Sequence, residues 1–120
     1  MKIHQLDHVA IHVQDVKASQ QFYAEVLKLE AKPRPGFDFE GAWFRLGKTQ
    51  ELHLIGNRKH EVVAERRGDH FALQIDNVDE WEAWLNEKQV DILRKRRPDN
   101  AHQIFLQDPD GHWIELCCPE

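Results

Sequence analysis

Two segments of the chain show the same alternation of apolar and polar residues. Residues 6–16 read LDHVAIHVQDV and residues 68–78 read GDHFALQIDNV. A period of two residues is typical of a β-strand with one apolar and one polar face. His8 and His70 hold the same place in the two segments, on the polar face and 62 residues apart. The pattern therefore predicts two equivalent strands, each carrying a histidine away from the core.

The rest of the chain repeats with the same offset. ELHLI aligns with WIELC, so that His53 falls on Glu115. After the two first strands, Asp15 and Asn77 precede apolar residues at helical spacing, and each can cap a helix. Three short extended runs are predicted after each helix, at residues 29–32, 42–47 and 50–55 and at residues 90–93, 103–107 and 112–118. The pattern thus predicts the order βαβββ twice.

This repeat predicts an α+β fold of two βαβββ modules. A chain of 120 residues is long enough for one hydrophobic core and too short for two ordinary domains. The apolar side of each sheet must be covered by a helix. We expect a single domain over residues 1–120, with module one at about 4–56, a charged linker at about 57–68 and module two at about 69–118.

Strand alternation places four potential metal ligands on the face of the sheet that the helices leave free. They are His8, His53, His70 and Glu115. Imidazole and carboxylate are the donors of catalytic Zn, Ni, Mn and Fe(II) sites, and the absence of a Cys ligand disfavours a closed structural zinc site. We therefore predict a divalent metal site on this face. Glu51 shares the face and could replace His53, which is preferred on the repeat alone.

Composition and charge limit the classes of function. The formal net charge of −5 disfavours a general nucleic-acid-binding protein, which needs a surplus of Lys and Arg. Without a long apolar run or a signal-peptide pattern, we expect a cytoplasmic protein that has no membrane contact. Cys117 and Cys118 are adjacent, so we interpret them as reduced thiols. The basic run at residues 94–97 is interpreted as a solvated edge, with anion binding as the alternative.

Four segments carry a more specific pattern, which covers the chain from about Leu6 to Pro119. The segments are LDHVAIHVQDVKASQQFYAEVLKL, GAWFRLGKTQELHLI, GDHFALQIDNVDEWEAWL and FLQDPDGHWIELCCP. Together they resemble the vicinal oxygen chelate superfamily of glyoxalase I, fosfomycin-resistance thiol transferases, extradiol dioxygenases and bleomycin-binding proteins. The resemblance implies a half-open, curved mixed β-sheet with helices on its outer face, folded around a divalent metal ion.

The same resemblance implies roles for individual residues. The ligands of the superfamily map onto His8, His70 and Glu115, while His53 stands where glyoxalase-like members usually carry Glu. Small members commonly form homodimers that draw the ligands of one metal from both subunits. The residues expected to contact a small-molecule substrate are His12, Trp43, Asn57 and Trp113.

A glyoxalase I-like isomerase or lyase is the first choice among the implied activities. A metal with open positions would hold two neighbouring substrate oxygens and stabilise an enediolate transition state, while Glu115 shuttled a proton. Asn57 matches a position that contacts glutathione in glyoxalase I proteins, although a strand-ending turn also explains it. His12 stands where glyoxalase I proteins commonly carry an Arg, and His53 stands where they carry a carboxylate. These two departures leave the substrate open.

Three alternatives remain from the same residues. A thiol transferase would share the DPDGHxxE pattern at residues 108–115. An Fe(II) extradiol dioxygenase would use His8, His70 and Glu115, with His53 crowding the coordination sphere. A sequestering protein without chemistry would need an aromatic cleft. The aromatic residues available for such a cleft are Phe37, Phe39, Trp43 and Trp113.

Overall fold

A computed structural model describes residues 1–119 of the protein, which divide into two compact units. The first unit runs from Met1 to Glu61 and the second begins at Val62. This boundary lies inside the segment over which the sequence predicts a linker. Within residues 1–119 no helix is long and apolar enough to cross a membrane.

The first unit is a four-stranded mixed sheet with one helical segment. Its strands lie in the order β1-β4-β3-β2, with β1 parallel to β4 and the other pairs antiparallel. The elements are β1 (His8–His12), α1 (Val16–Gln21), β2 (Ala31–Lys32), β3 (Gly41–Leu46) and β4 (Gln50–Ile55). The helix continues as a π-helical turn over Phe22–Val26, in which the Leu27 N–H donates to the Phe22 carbonyl at 3.2 Å.

The second unit repeats this architecture. Its strand order is β5-β8-β7-β6, with β5 parallel to β8. The elements are β5 (His70–Gln74), α2 (Val78–Glu87), β6 (Leu93–Arg96), β7 (His102–Gln107) and β8 (Trp113–Cys118). The α+β fold of two βαβββ modules is thus confirmed.

Strand β6 lies later than the sequence pattern predicts, at Leu93–Arg96 rather than residues 90–93. The reason is the way that α2 ends. Gln89 adopts φ 59°, and the Val90 N–H donates to the Leu85 carbonyl at 3.0 Å. Residues up to Val90 therefore satisfy the last carbonyls of the helix and are not free to pair in a sheet.

The pairing of residues between strands also repeats with the offset of 62 residues from the first sheet to the second. His8 lies opposite Glu51 and His70 lies opposite Trp113. Trp43 pairs with His53 and Phe105 pairs with Glu115 in the antiparallel hairpins. The outer pair differs, because Ala31 faces Phe44 whereas Leu93 faces Phe105, one position earlier in the repeat.

Both predicted helix caps are confirmed. Asp15 Oδ1 accepts from the Ala18 N–H and Asn77 Oδ1 accepts from the Glu80 N–H, each at 3.1 Å. These bonds satisfy backbone donors that have no partner inside the first helical turn. The two caps therefore turn the chain out of the first strand of each module and into its helix.

Each unit has its own set of fully buried side chains. The β4 positions Leu52 and Leu54 and the β8 positions Ile114 and Leu116 are at most 1% exposed, as the alternation predicts. The apolar side of β5 is only half-buried, at Phe71, Leu73 and Ile75. Strand β5 lies at the edge of its sheet and α2 packs mainly on β7, so the helix covers this edge incompletely.

The close packing of β3 on β4 generates a first prediction. A Cβ on Gly41 would lie 2.3 Å from the Leu54 carbonyl oxygen, whereas a Cβ on Gly36 would meet nothing within 4 Å. Gly41→Ala should lower the free energy of unfolding by about 1–3 kcal/mol, because backbone must move to admit the methyl group. Gly36→Ala, the matched control, should change it by less than about 0.5 kcal/mol. Urea unfolding measures both, and equal midpoints for the two variants would contradict this packing.

Candidate metal site and adjoining cleft

In the second unit, His70 on β5 and Glu115 on β8 approach each other from neighbouring strands. His70 Nε2 lies 3.1 Å from Glu115 Oε1. The parallel register places Ala72 beside Glu115, and the small Ala72 side chain leaves space next to the carboxylate. Glu115 is only 5% exposed, and Gln103 Nε2 donates to its second oxygen, Oε2, at 3.2 Å. The Gln103 hydrogen bond therefore fixes one oxygen of the carboxylate, and the other oxygen faces His70.

The hydrogen bonds of His70 determine which ring nitrogen carries the proton. His70 Nδ1 lies 2.7 Å from the Arg66 carbonyl oxygen, which can only accept, so the proton is on Nδ1. In neutral His70 the lone pair of Nε2 then faces a carboxylate oxygen, and two such atoms repel unless a proton or a cation lies between them. Metal–ligand bonds of about 2.0–2.2 Å at angles of 90–110° separate neighbouring ligand atoms by about 2.9–3.4 Å. The pair fits a divalent ion in donor type and in spacing.

In the first unit, His8 and His53 lie together in a stack of rings. The two imidazole centroids are 4.1 Å apart, and the other face of His53 lies on Trp43 at 4.0 Å with an angle of 4°. His8 Nδ1 contacts Asp7 Oδ2 at 2.8 Å, and His53 Nε2 contacts Glu51 Oε1 at 2.9 Å. A carboxylate thus orients each imidazole through one nitrogen, as is common for histidines that bind metal through the other.

The electrostatics of the first unit favour neutral His53. Burial lowers the pKa of His53 below its usual 6.5, and the nearby His8 lowers it further. Only the neutral ring can bind a metal. Glu51 also forms an ion pair with Lys32, so both of its carboxylate oxygens have partners within the protein.

The predicted ligands therefore come together in pairs, His8 with His53 and His70 with Glu115. Within residues 1–119 no group of three or more His, Cys, Asp or Glu side chains is placed to hold a metal ion. Each unit supplies two donors, whereas catalytic metal sites usually have at least three protein ligands. It stays a prediction that all four side chains together bind one metal ion.

The predicted substrate residues have different surroundings. Trp43 lies against His53, and Trp113 is half-buried opposite His70. His12 Nε2 donates to the Gly56 carbonyl at 2.9 Å. This backbone hydrogen bond accounts for the position of the imidazole. Asn57 is exposed with φ 64°, as expected for a residue that ends β4 in a turn. Their contact with substrate stays a prediction.

Two contributors to the site were missed in the sequence. The turn at residues 108–111 joins β7 to β8, and counting back through it would have placed Gln103 opposite Cys117 and on the same face as Glu115. The Arg66 carbonyl that orients His70 carries no sequence signal, because backbone position depends on how the linker folds. Cys117 lies beside Glu115 on the same strand. Burial and then the Glu115 charge raise the pKa of Cys117, and a raised pKa makes this thiol a poorer nucleophile.

A cleft of about 260 Å³ opens beside His70 and Glu115 within the second unit. Gln103 and Phe105 of β7 form part of its wall. Five cationic side chains make up most of the remaining lining, and they are Arg66, Arg67, Lys95, Arg96 and Arg97. The candidate metal donors of this unit are therefore accessible to a small ligand from a strongly positive space.

Comparison with known proteins assigns the chain to a family. The sequence model of the Glyoxalase/Bleomycin resistance protein/Dioxygenase superfamily matches residues 5–116. The chain belongs to this superfamily. The resemblance found in the sequence is thus confirmed. Its members generally use divalent metals, bind small molecules and often form dimers, and most are enzymes.

Individual relatives within the superfamily carry different names. Metallothiol transferase FosB of Staphylococcus epidermidis is 32% identical over 125 residues, which cover 97% of this chain and 82% of that protein. Glyoxylase I 4 of Arabidopsis thaliana is 30% identical over 121 residues, covering 93% of this chain and 69% of that protein. The crystal structure of a glyoxalase family protein from Bacillus anthracis matches with a TM-score of 0.86 at 25% identity, covering 100% of this chain and 98% of that one.

The donor pair of the second unit generates a second prediction. Substituting His70 by Ala or Glu115 by Gln should abolish stoichiometric metal binding, because each removes one of the two predicted donors of this unit. His60→Ala is the matched control, since His60 is an exposed histidine of the predicted linker. Elemental analysis of the purified proteins measures the metal, and circular dichroism verifies folding. Full metal content in folded His70→Ala protein would show that the site lies elsewhere.

Gln103 generates a third prediction. Gln103→Leu should weaken metal affinity by about 10–100-fold, because Glu115 would lose the donor that orients its carboxylate. Competition with a chelating dye measures the affinity, and an unchanged value for Gln103→Leu would mean that Gln103 does not support the ligand.

Proposed function

We propose that the protein is a divalent-metal-dependent enzyme that acts on a small substrate bound through two neighbouring oxygens. The observation that carries this proposal is the 3.1 Å approach of His70 Nε2 to Glu115 Oε1, with the imidazole proton held on the opposite nitrogen by the Arg66 carbonyl. A divalent cation between the two facing lone pairs would remove their repulsion. The cleft beside it offers the substrate a way in.

The proposed ligands are His70 and Glu115 of module two with His8 and His53 of module one. A complete set would come from two modules, either within one chain or across a homodimer in which each site uses both subunits. His53 is preferred to Glu51 as the ligand because His53 aligns with Glu115 in the repeat, and the Lys32 ammonium already pairs with the Glu51 carboxylate. When bound, the ion would supply Lewis-acid stabilisation of the negative charge that develops on substrate oxygens.

Transfer of a thiol to an electrophilic substrate is the reaction that the site supports best. Glu115 is buried, lies against His70 and accepts a hydrogen bond from Gln103, which suits a fixed ligand better than a base that must detach and move. In such a transfer a C–S bond forms while a carbon–oxygen bond of the electrophile breaks, and the released oxygen takes up the proton of the thiol. No proton is taken from carbon. The similarity to metallothiol transferases FosB, at 29–32% identity for two of them, supports the same choice.

Isomerisation of a glyoxalase I substrate is the second candidate. Glu51 Oε1 lies 2.9 Å from His53 Nε2, so module one offers a carboxylate–imidazole pair that could accept a proton from a substrate carbon. In this candidate His53 acts as the base and is not a metal ligand, and its lowered pKa keeps the ring neutral and able to accept the proton. The similarity to Glyoxylase I 4 of Arabidopsis thaliana supports this candidate.

A fourth prediction separates the two reactions. Metal-loaded protein should consume a thiol in the presence of fosfomycin and should turn over the hemithioacetal of methylglyoxal more slowly. Glu115→Gln should reduce the rate by about 100-fold or more, because the variant does not retain the metal ion that stabilises negative charge in the transition state. Free-thiol titration measures the first reaction and absorbance of the thioester product measures the second.

The same assays assign the alternative outcomes. Isomerisation of the hemithioacetal alone, with loss of activity in Glu51→Gln, would replace the first candidate by the second. Ring cleavage of a catechol by the Fe(II)-loaded protein would assign a dioxygenase. Binding of substrates without turnover of any of them by the loaded protein would contradict an enzymatic role.

A further inference from the structure

The cleft in the second unit gathers cationic side chains from two separate parts of the sequence. Arg66 and Arg67 precede β5, whereas Lys95, Arg96 and Arg97 lie at the end of β6 and just beyond it. Glu115 is the one carboxylate among the lining residues. The lining therefore has an excess of positive charge, although the chain as a whole has a net charge of −5.

Most of this positive charge is not neutralised by the protein itself. Arg97 is bound to both oxygens of Asp99, at 3.0 and 2.6 Å. Within the part of the chain that the structure describes, Arg66, Arg67 and Lys95 form no ion pair with an acidic side chain. Arg94, by contrast, points to α2 and binds Glu82 at 2.7 Å. The first residue of the basic run is thus a structural partner of a helix, whereas the following residues line the cleft.

Like charges at a concave surface repel one another more than on an open edge. Low-dielectric walls concentrate the field between them, and here Phe105 and Pro98 contribute such walls. Arg66 lies over the Phe105 ring at 4.7 Å, so its guanidinium is held at the wall and does not extend into solvent. An arrangement of this kind is unfavourable alone and becomes favourable when an anion enters.

We propose that Arg66 and Arg67, with Lys95, form a subsite for a doubly charged oxyanion carried by the substrate, either a phosphoryl-type group or a dicarboxylate. The proposal rests on the proposed function, because the same cleft contains His70 and Glu115. Guanidinium groups bind such oxyanions through paired N–H donors. The volume of about 260 Å³ lies just below the range of about 300–1,000 Å³ usual for ligand pockets. A small ligand fits this space, and its anionic end would lie next to the metal donors.

Binding of simple anions to the purified full-length protein tests the subsite without any turnover. Inorganic phosphate and succinate are titrated separately by calorimetry, and the metal content is measured in every sample. Arg67→Gln and Arg66→Gln should each weaken binding several-fold, and the double variant by about tenfold or more. Tighter binding of phosphate than of succinate would assign the phosphoryl group, and the reverse order the dicarboxylate.

Arg45→Gln is the matched control, because it makes the same charge change at an exposed arginine that does not line the cleft. It should leave the affinity within about twofold of the parent protein. Unchanged affinity in the Arg66/Arg67 double variant, or an equal loss in Arg45→Gln, would overturn the subsite. Arg67 is exposed, so its single variant keeps the test valid if Arg66→Gln disturbs the Phe105 wall.

The outcome for the subsite is separable from the outcome for the proposed function. Glu115→Gln protein that has lost metal and activity should still bind phosphate in an arginine-dependent manner. Protein that turns over substrate while all arginine variants bind phosphate equally would retain the proposed function and lose the subsite. A lack of turnover together with arginine-dependent phosphate binding would retain the subsite and overturn the proposed function.

Discussion

The site depends on the parallel pairing of the first and last strands of each module. Side chains alternate along a strand, so this register decides which donors share a face, and a slip by one residue would turn Glu115 into the core. The pairing extends past both strands, since the Val13 N–H donates to the Ile55 carbonyl and the Ile75 N–H donates to the Cys117 carbonyl. Buried Leu52, Leu54, Ile114 and Leu116 hold the same register from the opposite side of the sheets.

On this shared backbone the two modules have acquired different chemistry. Module one places His53 between two rings, Trp43 and His8, and offers a polarisable wall. Module two places Glu115 at the equivalent position, held by Gln103 and His70, beside a cleft lined with cations. The duplicated scaffold therefore carries an aromatic surface in one module and a charged cleft in the other.

Much of the fold could be predicted because its signals are local. Alternation identified the core strands, and the side chains of Asp15 and Asn77 cap the helices as predicted since capping involves only residues three positions away. Two features were not predicted from the sequence, namely the start of β6 and the incomplete burial of the apolar side of β5. The start of β6 depends on how α2 ends, and the exposure of Phe71 depends on where α2 packs. Neither is encoded within a window of a few residues.

The sequence by itself determined the duplicated βαβββ order and the identity of four candidate donors, because a period of two and a fixed offset are properties of the chain alone. The resemblance to the superfamily came from its motifs. The tertiary structure decided how those donors are held. It placed the proton of His70 on Nδ1 through the Arg66 carbonyl, held Glu115 with Gln103, and brought the arginines before β5 close to the cationic residues at the end of β6. Some of these contacts join residues that are close together in the sequence, and others join residues that are far apart. They exist only once the sheets and the linker have folded.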